Sequence, residues 1–188
     1  TEAPGGAVAN TLAGLGALGV RTAFIGRVND DSLGELYVKT MQQTGTDFVN
    51  APVAGGELPT SRSMIFVSED GERSMNTYLG ISAELGREDV SLGVAKETEF
   101  VFLEGYLFDK DKGKEAFKLL AKTCRDAGGK AGIAISDPFC VERHRDDFLH
   151  LIRNDLDYII GNDDEIKSLF ETDELDEALR KISENCDL

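Results

Sequence analysis

The chain has 188 residues, 41% of them hydrophobic, and a formal net charge of −15. That length supports one domain of ordinary size with its own core. The charge disfavours nucleic acid and anionic membrane as partners, and no apolar run is long enough to indicate a transmembrane helix or a signal peptide.

The first feature in chain order is Gly5-Gly6. A glycine pair ahead of a helix can bring amide N–H groups and the helix N-terminus against a polar ligand. Asn10, one turn further on, offers the donors and acceptors that suit sugar hydroxyls. An ordinary loop and a solvent-facing Asn explain the same residues. Val8, Leu12, Leu15 and Leu18 recur every three or four residues and predict a helix. Within it, Gly14 to Gly19 reads GLGALG, a letter-for-letter match to the dinucleotide fingerprint G-x-G-x-x-G. That fingerprint needs a strand before it and a helix after it. Here the order is helix, glycines, then a β-rich run over 21–28, which weakens the reading as a dinucleotide-dependent oxidoreductase. Gly19 is instead expected to close the helix, with Gly14 and Gly16 allowing close packing.

A second helix is expected over 33–43 and a strand over 47–53. The β-rich runs 62–68 and 73–79 flank Glu69-Asp70-Gly71-Glu72, a strong hairpin signal. Because this block interrupts an otherwise alternating βα pattern, 46–79 reads as a small inserted sheet beside a main domain of 1–45 and 80–188. An edge hairpin of the main sheet is the alternative. On its first strand Arg62, Met64, Phe66 and Ser68 share one face, and Ser63, Ile65 and Val67 the other. Both faces carry apolar residues, so one is expected to pack on something beyond the main domain.

Strands are then expected over 99–103, 130–136 and 155–160. Helices are expected over 112–127, closed by Gly128-Gly129, and over 163–170 and 173–184. The alternation argues an α/β fold: three layers, with a mostly parallel sheet covered by helices on both faces. In such sheets ligands sit outside the carboxyl ends of the strands. Those positions hold Glu104-Gly105-Tyr106, Asp137-Pro138 and Gly161-Asn162-Asp163-Asp164-Glu165. Carboxylates and an amide on one rim can hold hydroxyls, or magnesium through water. Duller roles fit too: Asp137 in a turn, and Asn162 as a helix N-cap with Glu165 as its capping-box partner. His144 and His150, six apart in a charged stretch, do not share a helical face and read as surface residues rather than a metal pair. Cys124, Cys140 and Cys186 form no C-x-x-C pair, so reduced thiols and a cytoplasmic setting are the default.

Gly5-Gly6-Ala7-Val8-Ala9-Asn10, the stretch RTAFIGRVNDDSLG at 21–34, the inserted hairpin and Asn162-Asp163-Asp164-Glu165 together resemble the ribokinase/adenosine kinase (PfkB) family of carbohydrate kinases, over nearly the whole chain. The stretches GERSMNTYLG and SDPFCVERHR are most similar to bacterial members described as adenosine kinases or unassigned sugar kinases. The resemblance implies a ribokinase-like fold with a β lid around Asp70-Gly71. It implies ATP-dependent phosphoryl transfer to a primary hydroxyl of a nucleoside, adenosine first, or of a sugar. Gly5, Gly6 and Asn10 match the substrate motif at the lid hinge, and Glu104 falls where ribokinases present a Glu to the sugar. Asn162 and Glu165 match the motif that organises magnesium and the ATP phosphates, with Glu165 reaching the metal through water. Asp137, on the same rim, joins them as a candidate cofactor ligand. Related lids imply a homodimer joined through the hairpin.

One departure is serious. The family's G-A-G-D motif, which supplies an anion hole and the general-base Asp, occurs nowhere in these residues. With Thr1 in place of an initiating Met, the expectation is an internal piece of a longer kinase, without its catalytic base and not able to turn over alone. The alternative is a regulatory module that binds a sugar or nucleoside without catalysis.

Overall fold

The computed structural model describes residues 2–186. The chain divides into two compact units, one comprising Thr1–Pro4 and Leu12–Leu85, the other Gly5–Thr11 and Gly86–Leu188. Helix α1 (Ala7–Ala17) begins in the second and ends in the first.

In the first unit, strand β1 (Thr22–Phe24) pairs in parallel with β2 (Thr46–Phe48) across helix α2 (Ser32–Gln43). The regular ladder is shorter than the runs 21–28 and 47–53 expected from sequence. The reason is local: the Gly26 N–H turns to the Asn50 side chain at 3.1 Å. Pairing resumes where the Val53 N–H reaches the Val28 carbonyl at 2.9 Å. Phe24, Tyr37 and Phe48 pack tilted or edge-on into an aromatic cluster with centroids 5.5–6.1 Å apart. Asp31 caps α2 by accepting from Gly34 N at 2.8 Å, and its other oxygen accepts from Thr60 N at 2.9 Å. Buried Asn29 donates through Nδ2 to the Gly56 and Leu58 carbonyls at 3.0 and 2.7 Å. This Asn-Asp-Asp segment therefore pins the loop that leads into the hairpin.

The hairpin pairs β3 (Arg62–Val67) with β4 (Arg73–Tyr78) antiparallel, from Arg62 opposite Tyr78 to Val67 opposite Arg73. Gly71 supplies the left-handed residue of its turn at φ 88°. Among the described residues the hairpin pairs with no other strand. Every residue of both strands is exposed, including Met64, Phe66, Ile65 and Val67 on its two faces.

The second unit is built on a parallel sheet of β5 (Phe100–Glu104), β6 (Lys130–Ala134) and β7 (Tyr158–Ile160) in that spatial order. The two parallel sheets bear out the α/β expectation. Helix α3 (Leu92–Glu97) packs on α4 (Asp111–Asp126), which lies against β5 and β6. Helix α5 (Pro138–Asn154) packs on α6 (Asp163–Phe170), and α6 on α7 (Leu175–Ser183). The core joins alternate strand residues, Leu103 and Ile133, to Phe117, Phe148, Leu151 and Leu169 of the helices. Burying each such side chain contributes about 1.5–3 kcal/mol. On the opposite sheet face the ring of Tyr158 lies over Gly132, where a Cβ would come within 2.2 Å of it, and its hydroxyl donates to the Val101 carbonyl at 2.7 Å. Helix α4 closes as expected, with Gly128 at φ 93°.

The glycines of GLGALG separate on inspection. A Cβ on Gly16 would lie 2.4 Å from the Thr44 carbonyl oxygen, whereas one on Gly14 would meet nothing within 4 Å. The expected packing role therefore falls to Gly16 alone, and Gly19, at φ 85°, takes the left-handed turn after the helix. In urea unfolding, Gly16→Ala should cost roughly 1–3 kcal/mol through the clash. Gly14→Ala should gain about 0.5–1 kcal/mol from helix propensity.

Candidate functional site

Parallel pairing carries the carboxyl ends of β5, β6 and β7 to one edge of the sheet. From β5 the chain passes through Glu104 into a 3-10 turn, Gly105–Asp109. From β6 it passes through Ile135 and Ser136 to Asp137, the N-cap of α5. From β7 it passes through Gly161 to Asn162, the N-cap of α6. The turns are tight: a Cβ on Gly105 would lie 2.5 Å from the Ala134 carbonyl, and one on Gly161 2.8 Å from Ile135 Cγ1.

Glu104 is half-buried and engaged through both oxygens. Its Oε2 accepts from the Val8 N–H at 3.3 Å and its Oε1 from the Ser136 hydroxyl at 2.9 Å. Val8 N belongs to the first turn of α1, whose amides have no partners within the helix, and a carboxylate there also meets the positive end of the helix dipole. The structure thus joins the segment after Gly5-Gly6 to Glu104. Gly6 stands at φ 111°, and its carbonyl accepts from Asn10 N at 2.9 Å. Gly5, Gly6 and Asn10 are exposed, and among the described residues no hydrogen bond links the Asn10 side chain to Glu104.

Asp137 accepts from Cys140 N at 2.8 Å, with Pro138 in the first helical turn. Tyr106, 40% exposed, stands beside it. Burial first, then Asp137 and Glu104, push the Tyr106 phenol above its ordinary range, so it stays protonated as a donor. Buried Cys140 has its thiol pushed up to about 12, by burial and then by Asp109 and Asp137, and is no nucleophile.

Asn162 and Glu165 form a complete capping box. Asn162 Oδ1 accepts from Glu165 N at 2.9 Å. Glu165 Oε2 accepts from Asn162 N at 3.1 Å, and Oε1 from Asn162 Nδ2 at 2.8 Å. Glu165 is only 8% exposed. Burial raises its pKa, Asp137 and Asp164 add to this, and the Asn162 N–H opposes it. Asp137 therefore stands electrostatically between the Glu104–Tyr106 end of the rim and Glu165. Among the described residues no three His, Cys, Asp or Glu side chains gather into a metal cage. The set suits a magnesium ion that keeps several waters and is shared with phosphates, since such ions take only one or two protein carboxylates.

Sequence reasoning missed Ser136, read as the last residue of a strand. It also missed α5, whose start was signalled by Asp137-Pro138. His144 differs from the surface residue expected. It sits at a non-helical point of α5 (φ −126°, ψ 22°), its side chain is 16% exposed, and Nε2 lies 2.7 Å from Asp109 Oδ1. That contact draws the ring inward against Phe108. His150 is exposed, as expected. Among the described residues no helix is long and apolar enough to cross a membrane.

The family model for pfkB family carbohydrate kinases matches residues 1–186. The chain belongs to this family. A fructokinase from Escherichia coli is 30% identical over 126 residues, covering 67% of this chain and 41% of the relative. The crystal structure of adenosine kinase from Sinorhizobium meliloti superposes with a TM-score of 0.94 at 42% identity, covering 99% of this chain and 57% of that one. A "probable sugar kinase protein" from Rhizobium etli CFN 42 gives a TM-score of 0.89, also at 42% identity, covering 95% of this chain and 54% of that one. The chain therefore spans about half the length of these relatives, and its fold is ribokinase-like.

The raised pKa of Glu165 has a definite linkage sign. The folded state binds a proton there more tightly than the unfolded chain, so this group's contribution to stability falls as pH rises above the ordinary value of 4.5. In magnesium-free urea titrations, the stability of the native sequence relative to Glu165→Gln should decline from pH 4.5 to pH 7. A difference independent of pH would refute the assignment.

Proposed function

We propose that this chain carries the acceptor site, and part of the nucleotide site, of an ATP-dependent kinase that phosphorylates a primary hydroxyl of a nucleoside, adenosine first, with a sugar as second choice. The observation that carries this reading is the Glu104 carboxylate at the head of α1, with an exposed aromatic ring, Tyr106, on the same rim. A carboxylate can accept from sugar hydroxyls, and an aromatic face can take a flat base. Similarity at 42% identity to the Sinorhizobium meliloti adenosine kinase supports the nucleoside. Similarity to the Escherichia coli fructokinase supports the sugar.

In this reading Gly5, Gly6, Asn10 and Glu104 orient the acceptor. Asn162, Glu165 and Asp137 hold hydrated magnesium on the ATP side. Magnesium, when bound, neutralises charge on the phosphates, which is most of what phosphoryl transfer requires besides positioning. The proton of the attacking hydroxyl needs a base, and these residues hold no G-A-G-D. We place that base in a longer protein of which this sequence is part. The same observation favours a second reading, a regulatory module that binds without catalysis. Free Cys124 and Cys140 support a cytoplasmic setting.

Coupled ADP-release assays on the intact protein should show turnover with adenosine. Glu165→Gln should lower kcat and shift the magnesium dependence. Turnover with fructose or ribose but no nucleoside rejects adenosine, an unchanged magnesium titration leaves Glu165 as a cap alone, and no turnover with any acceptor supports the regulatory module.

We further assign the hairpin the role of a lid that joins two subunits. A two-stranded hairpin is marginal by itself, and Met64, Ile65, Phe66, Val67 and Met75 are each more than half exposed. Such a surface gains stability when a partner covers it. Sedimentation of the intact protein at micromolar concentration should give a dimer that Ile65→Lys dissociates. A monomer insensitive to that change excludes the lid-mediated dimer.

A further inference from the structure

We propose that Ser136 is a positioning residue that fixes the carboxylate of Glu104 for its acceptor, an assignment that rests on the reading of Glu104 as the acceptor's ligand. Three observations converge on it. Ser136 has φ 76°, in the left-handed region that favours glycine, and the only other described non-glycine residue there, Glu171, is an ordinary helix C-cap. Strain of this kind persists where surrounding contacts hold it. The Ser136 hydroxyl lies 2.9 Å from Glu104 Oε1, with the Ala134 carbonyl as a longer neighbour at 3.3 Å. A hydroxyl has one proton to donate, and the shorter contact with the carboxylate is where a donated hydrogen bond is strongest. Finally, a Cβ on Gly105 would come within 2.8 Å of Ser136 Oγ, so the absence of a side chain at Gly105 is what lets the hydroxyl in.

The consequence is a carboxylate held at both ends. Val8 N fixes Oε2 and Ser136 fixes Oε1. With both oxygens anchored, rotation of the carboxyl group is suppressed and its remaining lone pairs keep fixed directions. An acceptor hydroxyl then meets an oriented partner and does not have to order one. Without the Ser136 hydroxyl, Glu104 loses one of its two anchors.

The test uses Ser136→Gly and Ser136→Ala in the intact protein, with Glu104→Gln as reference. Glycine removes the hydroxyl and relieves the backbone, whereas alanine removes the hydroxyl and keeps the strained φ. A purely structural role makes the two diverge in acceptor KM. A positioning role makes both raise the acceptor KM by about tenfold, the size of one charge-assisted hydrogen bond, with the ATP KM unchanged. The melting temperature should meanwhile rise for glycine and not for alanine. Amide exchange at Val8, read by NMR without substrate, should quicken in both variants because its carboxylate partner is freed. Unchanged Val8 exchange in Ser136→Gly overturns the clamp whatever the activity. Faster Val8 exchange with an unchanged acceptor KM overturns the positioning role. If Glu104→Gln is then equally silent, the failure lies in the reading of Glu104 as an acceptor ligand.

Discussion

Parallel hydrogen bonding between β5, β6 and β7 is the constraint on which the candidate site depends. Parallel strands cannot turn straight back, so each must leave the sheet at the same edge and return through a crossover. Glu104, Asp137 and Asn162 are the residues at which three successive strands make that exit. Two of them cap the helices that follow, and the third meets the first turn of α1. The polar rim is thus tied to topology: two exits open helices and the third meets the first turn of α1, and at all three a side-chain oxygen accepts from a helix amide without an intrahelical partner.

The sign of the rim follows. Glu104, Asp137, Asp164 and Glu165 gather within mutual electrostatic reach of Asp137 or its neighbours, as their influence on Tyr106 and Glu165 shows. Helix N-termini offset part of that negative charge. An anionic phosphate approaching this edge would meet carboxylates as well as amides. It could settle only with a cation to balance it, so the ATP site proposed here would need magnesium. A neutral acceptor would face no such repulsion, which is compatible with the acceptor role proposed for Glu104.

What was legible in the sequence, and what was not, divides along local and non-local physics. The hairpin was legible because Asp70-Gly71 acts within one turn, with Gly71 taking the φ that others avoid. The helix at GLGALG was legible because Val8, Leu12 and Leu15 keep a helical period, and α1 is that helix. Helix α5 was obscured by Glu142-Arg143-His144-Arg145-Asp146-Asp147, a charged run that interrupts the apolar spacing of Val141, Phe148 and Leu151. Four of those side chains reach other elements: Arg143 and His144 meet Asp109, Arg145 meets Glu171 and the Ser168 carbonyl, and Asp147 meets Lys114. The rim positions of Glu104, Asp137, Asn162 and Glu165 followed from strand order alone. Ser136 did not, because a left-handed φ at a serine is imposed by its surroundings and leaves no trace in the sequence.

The capping box at Asn162 and Glu165 bears on the two roles first set against each other for this pair. A carboxylate has about four lone-pair sites. The box uses one on each oxygen, for Asn162 N and Nδ2. One site on each oxygen is left for water, and a magnesium ion usually keeps several of its waters when bound. Capping also fixes the Glu165 rotamer and holds the group at the head of α6, where a helix N-terminus favours anions. The cap is therefore the device that would aim the ligand. Its burial has a cost in pKa, because a proton competes for the same lone pairs as pH falls, and a bound cation would lower that pKa again by favouring the charged form. A cap seen at this position is therefore no argument against a metal.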